Sequence, residues 1–387
     1  MSETSLKVAI IGFSGLIGKR HTVHVLENAS TELVAVIDPS PGAAAIKTTL
    51  GVPEATPIFA DVAEMLQSSS PVGKPDCAIV CTPPHTHVPI STTLIEAGVH
   101  VLVEKPISDT IESGRTLVDL AKKNNVHLLV GHHRRFNPYI VAAKKAVSSG
   151  MVGNVLAVSA IWALCKPDPY FDADPALSWR KSRSRGGGVV LTNFVHEADI
   201  LQHLLGRIVR VHAEEITPQR NMEARQDASH DMAEEGVALT LRFASGTVGT
   251  FILSDAAVSP HSFEMGTGEN PHIPRVRAGH DGHEAEGDEI DVYRILGTHG
   301  TLSVPDLILT SYGAGKERSW NEKLHREKQA IDKDPRVPFE RQLDHFIRVV
   351  RGQEEPSCTG QAGLEALQVC QAILESIATK KTVDIAE

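Results

Sequence analysis

Paired cysteines are the first thing this sequence lacks. Its five (Cys77, Cys81, Cys165, Cys358, Cys370) are scattered, odd in number and never spaced as CxxC. That pattern excludes a disulfide framework and predicts reduced thiols in a cytoplasmic protein. A basic excess is missing as well: 38 Lys and Arg stand against 48 Asp and Glu, for a net charge of −10. A nucleic-acid surface needs the opposite balance, so no nucleic-acid partner is expected. No apolar run approaches membrane-spanning length, and Met1-Ser2-Glu3-Thr4-Ser5 is polar and acidic, unlike a signal peptide. Repeats and low-complexity tracts are absent too. What remains, 41% hydrophobic and 22% charged residues in 387, is an ordinary globular balance in a chain too long for one core. Two domains are expected.

The stretch from Leu6 to Asp38 organises the first of them. Leu6-Lys7-Val8-Ala9-Ile10-Ile11 reads as a buried strand and runs into Gly12-Phe13-Ser14-Gly15-Leu16-Ile17-Gly18. Apolar positions Leu16, Ile17, Val23 and Leu26 then follow at helical spacing, and a second apolar run, Leu33 to Ile37, ends on Asp38. Strand, glycine turn, helix, strand, acid is the order a dinucleotide site needs. The glycines let the backbone approach a pyrophosphate, the free amides of the helix N-terminus meet its charge, and the acid accepts from the adenosine ribose. The spacing is GxxGxxG, one residue longer than the common GxGxxG. A carboxylate at Asp38 repels a 2′-phosphate, and no Arg or Lys follows in Asp38-Pro39-Ser40-Pro41. NAD is therefore expected rather than NADP.

The alternation continues. Strands are expected at Ile58-Phe59, Asp76 to Cys81, Val99 to Val103 and Val126 to Val130, with helices between them, which implies a parallel sheet covered on both faces. Ligands gather beyond the carboxyl ends of such strands, so Gly12 to Gly18, Thr82 to His87 and Glu104 to Pro106 should converge. After Gly131 the pattern changes to alternating strands: Asn154 to Ala163, Val237 to Phe243, Thr247 to Leu253, Ile290 to Leu296, Thr301 to Val304 and Leu307 to Ser311. These suit an open, mostly antiparallel sheet of the α+β kind. A helix over 189–205 should cover part of it, and two further helical stripes follow from Phe339 and from Leu364. The expected division is a Rossmann domain over 1–131 and a substrate and oligomerisation domain over 132–387.

Together these pieces resemble the glucose–fructose oxidoreductase / inositol dehydrogenase / rhizopine-catabolism (Gfo/Idh/MocA) family over nearly the whole chain. The anchors are the N-terminal fingerprint, Cys81-Thr82-Pro83-Pro84 with His87, Glu104-Lys105-Pro106, Gly131 to Pro138, and Gly186-Gly187-Gly188 followed by His196 and Asp199. The resemblance implies hydride transfer between NAD(P) and a hydroxyl or carbonyl of a sugar, cyclic polyol or related hydroxy acid. It also implies a homodimer or homotetramer formed through the C-terminal sheet. The cofactor side would then comprise Gly12, Phe13, Ser14, Gly15, Leu16, Ile17, Asp38, Cys81, Thr82, Pro83, Pro84, His87, Glu104, Lys105 and Arg134, with Pro106 often following a cis peptide.

Lys105, at a strand end, can hydrogen-bond the substrate oxygen and favour the alkoxide-like charge of hydride transfer. His196 suits proton exchange near neutral pH. The chain departs from the family at Thr192 and Phe194, where an Asp and a Gly are usual, so the catalytic pair is Lys105 and His196, with Asn193 orienting substrate. Trp162, Lys166, Tyr170, Arg135 and Arg180 are further substrate candidates. Lys166 and Arg180 come from a basic run that reads either as a carboxylate pocket or as solvated charges paired with Asp168, Asp172 and Asp174. Gly268-Glu269-Asn270-Pro271, in a long loop over 256–289, resembles a substrate-side lid. His261, His272, His280 and His283 lack a Cys or carboxylate frame, and no metal is expected. Two other readings share this pattern: an NAD-dependent glycosidase working by transient oxidation and elimination, and a non-catalytic NAD-binding regulator.

Overall fold

The computed structural model describes residues 4–68, 74–220, 231–275, 290–313, 315–332 and 334–386. The chain forms two compact units. The first comprises residues 1–136 with 336–367, and the second residues 137–335 with 368–387.

Among the described residues of the first unit, six strands alternate with five helices: β1 (Leu6–Ile11), α1 (Leu16–Glu27), β2 (Thr31–Ile37), α2 (Ala43–Thr49), β3 (Ile58–Phe59), α3 (Val62–Gln67), β4 (Cys77–Val80), α4 (Pro84–Glu96), β5 (His100–Val103), α5 (Ile111–Lys123) and β6 (Leu128–Val130). The sheet order is β3-β2-β1-β4-β5-β6, and every pair is parallel. Strands covered on both faces need apolar side chains at consecutive positions. Val8, Ala9 and Ile10 of β1 and Ala78, Ile79 and Val80 of β4 are accordingly all fully buried. Each large side chain so buried contributes about 1.5–3 kcal/mol. The chain winds outward from β1 to β3 and then returns to the other side of β1, so strand order reverses between β1 and β4. A crevice at their carboxyl ends is where such sheets bind ligands.

The expected boundary at residue 131 accounts for this sheet but not for one of its helices. The helix Pro338–Val350 inserts Leu343, Phe346, Ile347 and Val349 into the same apolar cluster as Val8, Ile10, Phe13 and Ile79. Its stripe was legible as helical; its destination depends on a chain reversal that local pattern does not encode.

The second unit holds α6 (Pro138–Ser148), β7 (Val155–Ala163), the short α7 (Pro169–Asp172), α8 (Val195–Leu205), β8 (Ile208–Glu215), β9 (Gly236–Phe243), β10 (Val248–Ser254), β11 (Asp291–Gly297), β12 (Gly300–Pro305), β13 (Ile308–Ser311), β14 (His325–Lys328) and β15 (Val383–Asp384). They form a nine-stranded sheet, β14-β13-β12-β11-β7-β10-β9-β8-β15, antiparallel throughout except for the β7–β10 pair. Strict alternation along β9 buries Val237, Leu239, Leu241 and Phe243 and exposes the residues between them. One face is thus dry and the other open. Helix α8 is buried at Val195, His196, Glu197, Ala198, Asp199, Ile200, Leu201 and Leu204. Among the described residues no helix is long and apolar enough to cross a membrane.

Candidate active site

The glycine turn after β1 is built for close approach. Gly12 has φ +77°, and a Cβ there would lie 3.0 Å from the Cys81 carbonyl at the end of β4. A Cβ on Gly18 would come within 2.2 Å of the Gly12 oxygen, so helix α1 packs against the turn only without a side chain at that position. Gly15 caps α1 with no side-chain hydrogen bond, which leaves the first-turn amides to accept an anion. At the end of β2, Asp38 accepts from the Ser14 amide at 3.0 Å and the Ser40 amide at 3.0 Å. Burial pushes its carboxyl up, but the hydrogen bonds from Ser40 and Ser14 outweigh it and hold Asp38 below the usual carboxylate range. The acid is therefore ionised, fixed against the turn, and retains lone pairs for two ribose hydroxyls. These residues fit a dinucleotide: a cradle that a Cβ would fill, uncapped amides and an aimed carboxylate. Phe13 has only its backbone to offer a ligand at this turn, because its ring is fully buried in the core, whereas Leu16 is 73% exposed.

The ends of β4 and β5 carry the second group. His87 lies on α4 with Nε2 2.7 Å from the Thr82 carbonyl and Nδ1 2.8 Å from the Pro106 carbonyl. Two carbonyls favour the imidazolium, burial opposes it, and burial wins, so His87 titrates below its ordinary value. It ties the Thr82-Pro83-Pro84 loop to the Glu104-Lys105-Pro106 loop. Glu104 accepts from His21 Nε2 at 3.0 Å, and a Cβ on Gly131 would come within 2.8 Å of its carboxyl. Burial raises Glu104, yet the His21 hydrogen bond and the charges around it keep it ionised. Burial, then the Glu104 charge, pushes the Cys81 thiol well above its ordinary value, which removes it as a nucleophile. Lys105 is half-buried beside this carboxylate, its amide donating to Glu104 Oε2 at 3.3 Å, and the Lys105–Pro106 peptide is cis. Arg134 is buried. Arg135, expected at the substrate, is also buried and donates to the Ser357 carbonyl of the same unit. Its guanidinium braces the chain there.

In the second unit the expected helix over 189–205 is two structures. Val190–Phe194 is a π-helical turn, and α8 begins at Val195. Single π turns frequently occur at functional sites. Asn193 lies in this turn, and Lys166 Nζ donates to its Oδ1 at 2.6 Å. The Lys166 ammonium also pairs with Asp255 at 3.2 Å and sits 4.7 Å above the Tyr170 ring. Thr192 Oγ1 lies 2.7 Å from the Gly188 carbonyl and 2.9 Å from Asn193 Oδ1. Arg180 stacks 4.0 Å over the same Tyr170 ring and donates to the Tyr170 carbonyl at 2.5 Å. Lys166, Tyr170, Arg180 and Asn193 are thus brought together. His196 follows at the second residue of α8, 7% exposed, with Asp199 buried one turn on.

Trp162 is a correction. It is fully buried, with Nε1 donating to Glu264 at 3.0 Å, because the alternation of β7 turns it to the covered face. His261 binds the Asp291 carbonyl at 3.0 Å, and Glu269 of the expected lid accepts from Asn137 at 3.1 Å. His280 and His283 lie outside the described residues. Sequence reasoning missed Glu234, Glu235 and Asp255. Glu235 and Asp255 both pair with Arg220, while Glu234 accepts from the Val190 amide at 2.9 Å and so pins the start of the π turn. Gly188 is obligatory beside it: its φ is +94°, and a Cβ would come within 2.2 Å of the Glu234 carboxyl. Glu234 and Glu235 precede β9 and Asp255 follows β10, and none of them stands in a strand, glycine turn, helix, strand order like the one that marked Asp38.

Comparison with known proteins agrees with this construction. Residues 6–132 match the oxidoreductase family with an NAD-binding Rossmann fold, and residues 144–385 match its C-terminal alpha/beta domain. The chain is 25% identical over 389 residues to inositol 2-dehydrogenase of Rhizobium meliloti (strain 1021), covering 99% of this chain and 100% of that one. It is 24% identical over 397 residues to 2,7-anhydro-N-acetylneuraminate hydratase of Mediterraneibacter gnavus, covering 98% and 96%. Among solved structures, the WlbA dehydrogenase from Bordetella pertussis in complex with NADH and UDP-GlcNAcA shares the fold with a TM-score of 0.72 at 21% identity, covering 100% of this chain and 99% of that one. With both of its domains matched in order, the chain belongs to the Gfo/Idh/MocA family of NAD-binding Rossmann oxidoreductases.

Proposed function

We propose that this protein is an NAD-dependent dehydrogenase or reductase acting on a secondary carbinol or carbonyl of a sugar, cyclic polyol or related hydroxy acid. The observation that carries the cofactor choice is Asp38, ionised and fixed by the Ser14 and Ser40 amides at the end of β2. The bound nicotinamide supplies the hydride acceptor or donor. Lys105 places a cation where the substrate oxygen gains negative charge, worth several kcal/mol in a dry site. His196, whose imidazole is the side chain suited to proton exchange in this pH range, takes or returns the hydroxyl proton, and Asn193, held by Lys166, orients a neighbouring hydroxyl. The inositol 2-dehydrogenase relative supports the net redox reading.

Titration with NADH and NADPH, followed by a screen of polyols, sugars and hydroxy acids, tests the proposal. NADH should bind much more tightly than NADPH. Lys105→Ala should lower turnover by about 10²–10⁴-fold with NADH affinity nearly intact; equal turnover would remove Lys105 from the chemistry. The hydratase relative favours a second, redox-neutral reading, in which oxidation is transient. Product formed with no net NADH signal would select it. The five free thiols support a cytoplasmic location, and the open face of the nine-stranded sheet supports a homodimer or homotetramer.

A further inference from the structure

We propose that the substrate carries a carboxylate and that Arg180 reads it, an inference that rests on the oxidoreductase reading of this site and narrows its substrate class. The basic residues between Lys166 and Arg220 divide sharply by partner. Lys166 pairs with Asp255 at 3.2 Å, Lys181 with Asp172, Arg183 with Glu215 at 3.5 Å, and Arg220 with both Glu235 and Asp255. Arg185 is exposed and donates to Ser178 Oγ at 3.3 Å. Arg180, by contrast with these five, is partly buried and has no carboxylate partner among the described residues. Its contacts are the Tyr170 carbonyl and the faces of Tyr170 and Trp179, and its Nε is buried with no hydrogen-bond partner. A guanidinium held in this way has spent one donor on backbone and kept the rest of its planar fork in reserve. Partial burial of a cation is costly unless an anion completes it.

Place and charge both indicate what completes it. Arg180 and Lys166 share the Tyr170 ring, and Lys166 holds Asn193, three residues before His196. The guanidinium therefore lies one aromatic ring from the group that orients the substrate. Arg180 also lines a small cavity whose other charged residues are Lys181, Arg220, Glu234, Glu235 and Asp255. Arg220 is matched there by Glu235 and Asp255, and Arg180 is left without a carboxylate of its own. A planar guanidinium fork with donors to spare matches a carboxylate, bound bidentately. Sugar acids and polyhydroxy acids are the class described. Tyr170 fixes the plane of the guanidinium, which sets the angle at which such a carboxylate can dock.

Binding, measured separately from turnover, tests this. Protein saturated with NADH is titrated by calorimetry with matched pairs: glucuronate and glucose, gluconate and glucitol. The acid of each pair should bind at least tenfold more tightly. Arg180→Gln should bring the acid-to-neutral affinity ratio close to one, a ten- to hundredfold loss for the acid, and Arg180→Lys should restore part of it. An acid preference that survives Arg180→Gln, or wild-type protein that binds neutral and acidic partners alike, would overturn the inference. Turnover of the same compounds is followed in parallel. Arg180-dependent acid binding with no hydride transfer would leave the carboxylate assignment standing and refute the dehydrogenase reading instead.

Discussion

Asp38 and Glu234 both flank strands, and their surroundings drive them in opposite directions. Asp38 takes two backbone amides and stays ionised. Its role as a charge is testable: Asp38→Ala should remove the repulsion of a 2′-phosphate and narrow the NADH-over-NADPH preference by about tenfold or more. An unchanged preference would assign ribose reading to another residue. Glu234 is buried, and burial outweighs the Val190 amide and the Arg183 charge to push its carboxyl up to about 7. The folded state therefore holds a proton that the unfolded chain releases at the ordinary carboxylate value. Between these two values stability falls as pH rises, by about 3 kcal/mol once pH has passed the folded value, and below the ordinary value the group contributes nothing. Glu234→Gln keeps the acceptor for Val190 and removes the ionisation. Urea melts should show the variant gaining on wild type between pH 5 and pH 8; parallel curves would mean that Glu234 ionises without cost. Of this pair only Asp38 was legible in the sequence, because a glycine turn and a strand announced it. Glu234 acquires its role from the π turn it pins, and nothing local specifies that turn.

At the scale of elements, period and order were readable, while contacts over long sequence separations were not. The five βα alternations of the first unit follow from apolar runs and turns. The π turn at Val190–Phe194 did not, since its apolar residues continue the helical stripe of α8 and differ only in backbone winding. β8 escaped because Arg210 and His212 interrupt its apolar residues, leaving just Ile208, Val211 and Ala213 buried. Two substitutions test the elements that hold the cofactor side. Gly18→Ala places a methyl 2.2 Å from the Gly12 oxygen, so α1 must move off the turn. NADH affinity should fall at least tenfold, since the amides that meet the pyrophosphate move with the helix; calorimetry showing wild-type affinity would refute the close-approach account. Phe346→Ala, in the helix Pro338–Val350, removes a fully buried ring from the first unit's core. A loss of about 3–5 kcal/mol in urea unfolding is expected. A loss below about 1 kcal/mol would show that this helix is peripheral to that core.

At the scale of the whole molecule, the sequence told a covered sheet from an open one, and the open one makes the last prediction. β7, β9, β10 and β11 are registered so that Ile161, Ala238, Ile252, Val248 and Leu296 lie on one face, with Ser159, Thr240 and Thr250 between them. Val248 is 47% exposed, Ile252 46% and Leu296 39%. Scattered exposed apolar residues need no explanation, but these occupy neighbouring central strands of one sheet, and a contiguous apolar patch rimmed by polar groups marks an interaction surface. A second copy of this chain, offering the same face across a two-fold axis, would cover it with a self-complementary contact. Val248 pairs with Ala157 on one side and Arg242 on the other, so a carboxylate at position 248 would stand at the centre of that contact rather than at its rim. Val248→Asp combined with Ile252→Asp should convert a dimer or tetramer to smaller species in light scattering after size exclusion, because each buried, unpaired carboxylate costs several kcal/mol. NADH affinity should be retained, since the dinucleotide residues belong to the other unit. A wild-type protein that runs as a monomer at micromolar concentration, or a double variant with unchanged mass, would refute the sheet-face interface.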